Sequence, residues 1–155
     1  MQLKLLYTGL DFDSNIPNFA MDIPYSVLKQ TTAGNLRTNV LPIAAYIETP
    51  DATLTPVPAL TEYGLDTSRV IVSLYEERFV SYSGLTSGAF TLMGAPAGTS
   101  IQSVQGNSPT QATINLAFDG TDFDVDSTNF RVNIVATALV QTGSGYLSTD
   151  SLTIE

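Results

Sequence analysis

Asp119, Asp122, Asp124 and Asp126 fall close together in DGTDFDVDSTNF (residues 119–130), three of them at alternate positions. Carboxylates two residues apart converge on one cation when the backbone bends into a loop. Ca2+ takes six to eight oxygens, which three or four carboxylates, the Asn129 amide and backbone carbonyls would supply. These four aspartates are therefore the candidate metal ligands, and Ca2+ the candidate ion. The spacing lacks the glycine and the distal glutamate of an EF-hand loop. The same residue types serve a commoner purpose: Asp and Asn side chains bond their own backbone in Asx turns, while Phe123 would anchor the loop to a core.

The rest of the composition removes most other chemistry. The chain has no Cys and no His, which excludes thiolate nucleophiles, Ser-His and Cys-His pairs, zinc sites of the usual ligands and imidazole acid–base catalysis. Glu76 and Glu77 are adjacent in LYEERF, but a glycosidase needs two acids set across a cleft; charges at a hairpin end, beside Arg78, are the simpler reading. No catalytic residue is expected. Seven tyrosines offer stacking faces for a glycan, without a single Trp to support them. Six basic residues against fifteen acidic ones, for a net charge of −9, repel phosphate backbones and anionic lipid, so nucleic acid is not an expected partner. No run of about 18 apolar residues suggests membrane insertion, and the start MQLKLLYTGL lacks the long apolar region of a signal peptide. Stretches such as GAPAG and TGSG follow strand-like segments without opening a helix, and read as turns rather than phosphate cradles.

The elements that must position these residues are repeated. Shifting the chain against itself by 111 positions aligns residues 2–43 with residues 113–154 without a gap, with 16 of 42 pairs identical, among them Gly9/Gly120, Phe12/Phe123, Asp13/Asp124, Phe19/Phe130, Ile23/Ile134 and Leu28/Leu139. Self-similarity at a fixed offset marks a repeated structural unit. Residues 44–154 then make one full period, and residues 1–43 the second half of a preceding one. The upstream copy has Thr8 for Asp119 and Asn15 for Asp126, so it lacks the full acid set.

Short runs rich in β-branched and aromatic residues, at 69–76, 89–93, 101–104, 112–118, 129–139 and 151–154, are separated by Gly, Pro, Asn and Asp. Ile114, Leu116 and Phe118 share one face by alternation, as do Phe130, Val132 and Ile134. Residues 24–30 and 135–141 hold at most one helical turn. Six or seven strands per period predict an all-β, antiparallel sandwich, one complete module with a half module before it. The expected organisation is a half repeat over residues 1–43, a Pro-rich linker or edge segment over 44–59, and a complete Ig-like β-sandwich over 60–155. Three prolines bar the middle segment from a sheet centre.

With GLTSGAFTLMGAPAGTSIQSV, the AFDGTDFD loop and the closing LTI strand, the complete repeat resembles the tandem Ig-like modules of large bacterial adhesin-like or haemagglutinin-like surface proteins. The resemblance implies an extracellular or cell-surface, non-catalytic structural or adhesive module. Its partners would be other copies of the module, neighbouring chains, a glycan or a surface protein. The alternatives are a strand-exchanging filament subunit and a glycan-binding module. A Lys–Asn isopeptide crosslink is excluded within the complete repeat, because the only lysines are Lys4 and Lys29. An orphan half sandwich would expose an apolar face and strand edges, so residues 1–43 are expected to be completed by strands from elsewhere.

Overall fold

The β-branched runs form twelve strands in the computed structural model, which describes residues 4–7, 9 and 12–155. They are β1 (Ile16–Phe19), β2 (Asp22–Pro24), β3 (Asn35–Arg37), β4 (Leu41–Ile43), β5 (Asp51–Val57), β6 (Arg69–Tyr75), β7 (Phe90–Met93), β8 (Thr99–Ser108), β9 (Gln111–Phe118), β10 (Ser127–Val135), β11 (Tyr146–Ser148) and β12 (Leu152–Ile154). The strand pairs are antiparallel, and the helical content is limited to short 3-10 segments. The protein is all-β. It divides into two compact units, Met1–Ile47 and Glu48–Glu155.

In the second unit a four-stranded sheet runs in the order β5-β6-β9-β8. Alternation turns Leu54, Val70, Val72, Leu74, Ile114 and Leu116 to one buried face. The other sheet is built around β10. Its residues 131–134 pair with β7 along one edge, while β12 and β11 follow one another along the other. Phe90, Phe130, Val132, Ile134 and Ile154 from this sheet join the first sheet's apolar face in a single core. The alternation of residues 130–134 is borne out completely, since Phe130, Val132 and Ile134 are all fully buried. Phe118 is only half-buried and instead meets the Phe123 ring edge-on at 6.0 Å.

The Pro-rich stretch is the edge strand β5, paired with β6 over all seven of its residues from Asp51↔Tyr75 to Val57↔Arg69. Proline is tolerated there because only one side of an edge strand needs donors. Residues 51–57 thus belong to the unit that starts at Glu48, well before residue 60. Gly106 in β8 is fixed by a close approach: a Cβ there would lie 1.9 Å from the Tyr82 carbonyl oxygen.

The first unit consists of two two-stranded sheets, β1-β4 and β2-β3. Its elements correspond to the end of the second unit at the same offset of 111. The pairs Ile16↔Ile43 and Phe19↔Leu41 match Ser127↔Ile154 and Phe130↔Leu152. The pairs Asp22↔Arg37, Ile23↔Leu36 and Pro24↔Asn35 match Asn133↔Ser148, Ile134↔Leu147 and Val135↔Tyr146. A one-turn 3-10 segment follows in each, Tyr25–Val27 and Ala136–Ala138.

Candidate functional site

The correspondence extends to single bonds. Thr38 accepts from the Met21 N–H and donates to the Asn39 carbonyl; Thr149 accepts from the Val132 N–H and donates to the Asp150 carbonyl, with all four distances between 2.8 and 3.0 Å. The Tyr7–Phe12 rings meet edge-on at 6.1 Å and 81°, as Phe118–Phe123 do at 6.0 Å and 81°. Gly9 and Gly120 share a positive φ of 79° and 83°, and Gly34 and Gly145 of 73° and 71°. Glycine occupies that left-handed region without the Cβ penalty other residues meet. The repeated wording thus encodes a repeated backbone, whatever the loop's acids do. Thr8 and Asp11 lie outside the described residues.

The aspartate loop itself does Asx-turn work. Asp119 Oδ1 accepts from the Thr121 hydroxyl at 2.6 Å and from the Thr121 N–H at 3.0 Å; the hydroxyl first and the N–H second hold its carboxyl below the usual carboxylate range. Among the described residues no three acidic side chains come close enough together to hold a metal ion. Asp119, Asp122, Asp124 and Asp126 are all exposed. Asp119 also borders an open groove of about 760 Å³ lined by Thr61, Glu62, Tyr63, Asp66 and Glu155. Its acids are engaged with the backbone: Asp66 accepts from the Phe118 N–H at 3.1 Å, and Glu62 from the Phe123 N–H at 3.3 Å. Tyr63 stands fully exposed at its rim.

Glu77 is the residue whose role sequence reasoning missed. It is not a solvated hairpin-end charge but a buried carboxylate, 3% exposed, with five donors upon it. Oε1 accepts from the N–H groups of Arg78, Val140 and Gln141 at 2.8–3.0 Å. Oε2 accepts from the Thr142 N–H and hydroxyl at 2.8 and 2.7 Å. Burial alone pushes its pKa up; the donors of Gln141, Thr142 and Arg78 outweigh this and hold the carboxyl below the usual glutamate range. A signal was present in the sequence, because Glu77 shares its parity with the core residue Phe79. Around this carboxylate the chain segment 77–80 latches the two halves of the module together. The Val80 N–H donates to the Ala138 carbonyl, the Val140 N–H to the Arg78 carbonyl, both at 3.0 Å, and Phe79 bridges Leu139.

The first unit carries the receiving side of this latch without the latch. Lys29, Gln30 and Thr31 stand where Val140, Gln141 and Thr142 do. The apolar face that is buried in the second unit is open here. Met21 is 36% exposed where Val132 is 0%, and Leu36 and Leu41 are 50% and 55% exposed. Where β10 runs unbroken beside β7, the equivalent stretch is split into β1 and β2.

No family model, curated protein or solved structure matches this chain. No helix among the described residues is long and apolar enough to cross a membrane.

Proposed function

We propose that the protein is a non-catalytic structural repeat module, an Ig-like β-sandwich used in series by a large bacterial surface or secreted protein to provide reach and to display loops. The observation that supports this reading is the recurrence of residues 2–43 at 113–154, an offset of 111, matched in strand register, side-chain hydrogen bonds, ring geometry and positive-φ glycines. A unit reproduced so closely within one chain is one whose geometry is used more than once, as in arrays where each repeat contacts only its neighbours. The resemblance of residues 57–155 to adhesin-like modules favours an extracellular place for it. The acid-rich surface and the absence of His and Cys fit a role without catalysis.

Force spectroscopy on a head-to-tail polymer of residues 44–154 tests this. Each complete module should give one identical unfolding event releasing about 370–400 Å of extended chain, from 111 residues at about 3.3–3.6 Å each. Irregular events, or a polymer that does not fold, would overturn the serial reading. A second reading, a strand-exchanging subunit of an extracellular filament, is favoured by the open face of residues 12–47.

A further inference from the structure

The second unit begins and ends on one seam. Its first segment runs through β5 to Glu62, and its last, from Thr149 through β12 to Glu155, lies alongside. The Glu155 N–H donates to the Leu60 carbonyl at 3.1 Å, and the Glu62 N–H donates to the Glu155 carbonyl at 2.6 Å. Bonding to the residues on either side of Thr61 in this way is the pattern of a parallel bridge between Thr61 and Glu155. Asp150 repeats the pattern with one change. Its N–H donates to the Ala52 carbonyl at 3.2 Å, and its carboxylate Oδ1, in place of its carbonyl, accepts from the Leu54 N–H at 2.6 Å. Asp150 and Glu155 thus meet Thr53 and Thr61 in the same order, so the two segments run parallel. The seam ties the edge strand of one sheet to the other sheet, and the side chains of Ala52, Leu54, Leu60 and Ile154 along it are buried.

Resting on the repeat-module reading, we propose that this seam is the module's force clamp: under tension along the array its four bonds are strained together in shear and set the force at which the module opens. The order of the strands carries it. β12 is the counterpart of β4 at the 111-residue offset, and from Ile43, the end of β4, the chain passes into the second unit at Glu48. A module in series is therefore entered ahead of β5 and left after β12. Tension draws residues 51–62 back toward their start and residues 149–155 on toward their end. Parallel segments drawn in opposite directions slide along one another, which strains all the bonds between them at once. An antiparallel pair drawn from neighbouring ends peels open one bond at a time instead. Each segment is also secured on its far side, β5 by its ladder to β6 and the last segment by the β12–β10 pairing and the Thr149 hydroxyl on the Val132 N–H at 3.0 Å. The seam is the direct path between the two strained segments, and the apolar side chains along it lower the local dielectric, which strengthens its bonds.

Glu62 offers a substitution that removes one seam bond and little else. It opens the 3-10 segment Glu62–Thr67, preceded by Thr61 at φ −130° and ψ 154°. The first helical position tolerates proline, and the residue before a proline favours that extended conformation. Glu62→Pro deletes the N–H that meets the Glu155 carbonyl, whereas Glu62→Ala keeps it; both lose the side-chain bond to the Phe123 N–H.

The experiment is optical-tweezers unfolding of the intact 155-residue chain. The chain has no Cys, so introduced cysteines are its sole handles. Glu48→Cys with a cysteine appended after Glu155 pulls on the two ends of the module; Ser87→Cys with Ser144→Cys, both at exposed positions, pulls on neither. Between the end handles Glu62→Pro should unfold about five- to tenfold faster than Glu62→Ala at the same force, the size of one lost hydrogen bond. Between the inner handles the two should unfold at the same rate. Asp150→Ala against Asp150→Asn, which keeps an acceptor oxygen for the Leu54 N–H, makes the same comparison at the other end of the seam and decides the matter if the proline variant does not fold. Equal rates within the pairs between the end handles overturn the proposal. So does an equal acceleration in both pulling geometries, which would make the bond a contributor to stability alone. Because each measurement is made on a single module, equal rates leave the repeat-module reading to its own polymer test, and irregular events in that polymer would remove the serial use without touching the seam's measured resistance.

Discussion

Glu77 shows how one side chain can join two halves of a module. Its carboxylate is almost inaccessible, yet it satisfies backbone donors that no apolar residue could satisfy, and leaving buried donors without an acceptor costs about 1–3 kcal/mol each. Glu77→Gln keeps the volume but replaces one acceptor oxygen with an amide that faces the Thr142 or Gln141 donors. The expected loss is about 2–3 kcal/mol, measured by urea unfolding at neutral pH. The pH dependence gives an independent reading. Because the folded-state pKa is depressed, the contribution is complete above the ordinary glutamate value of 4.5 and is lost as pH falls through the lower folded value. Below pH 4.5 the parent should lose stability more steeply than Glu77→Gln, so the two curves converge in acid. Parallel curves would show that the carboxylate's charge is not what the 140–142 loop requires.

Among the elements, the β9–β10 connection is the most conspicuous feature of the sequence, and its structure is that of a turn. The duplicated words mark a turn whose glycine at φ 83° and whose aromatic pair are its fixed parts; the acids around them are exposed. Excess Ca2+ followed by a chelator should leave the thermal midpoint unchanged. A ligand binding only the folded state at 100 times its dissociation constant would add about 2.7 kcal/mol, so a clear rise on adding Ca2+ would make Asp119, Asp122, Asp124 and Asp126 its ligands. The strand content, the buried alternation of residues 130–134 and the one-turn segments at Tyr25–Val27 and Ala136–Ala138 were all legible, because period-two patterning and turn residues are local signals. Two things were not. β5 reads as linker or edge with equal ease, since prolines exclude only the sheet centre, and what decides is the ladder to β6 that no local pattern records. Glu77 reads as surface charge because its partners lie more than 60 residues away, at Val140, Gln141 and Thr142.

At the scale of the whole molecule, the two units differ in how much they can bury, and their stabilities should differ accordingly. The unit Glu48–Glu155 closes two sheets over a core in which Val70, Val72, Ile114, Phe130, Val132 and Ile134 are fully inaccessible. Burying such side chains contributes about 1.5–3 kcal/mol each. Met1–Ile47 has the same strand register at its β2-β3 and β1-β4 pairs, but those pairs are two-stranded and three or four residues long. A two-stranded sheet of that length is marginal in water unless something covers its apolar face. Hydrogen exchange should therefore separate the units sharply. Amides of β6, β9 and the centre of β10 should exchange only through global opening, while those of β2 and β3 exchange at least about a thousandfold faster through local opening. If β2 and β3 were protected as well as β10 in the free chain, residues 12–47 would already be stable without a covering strand.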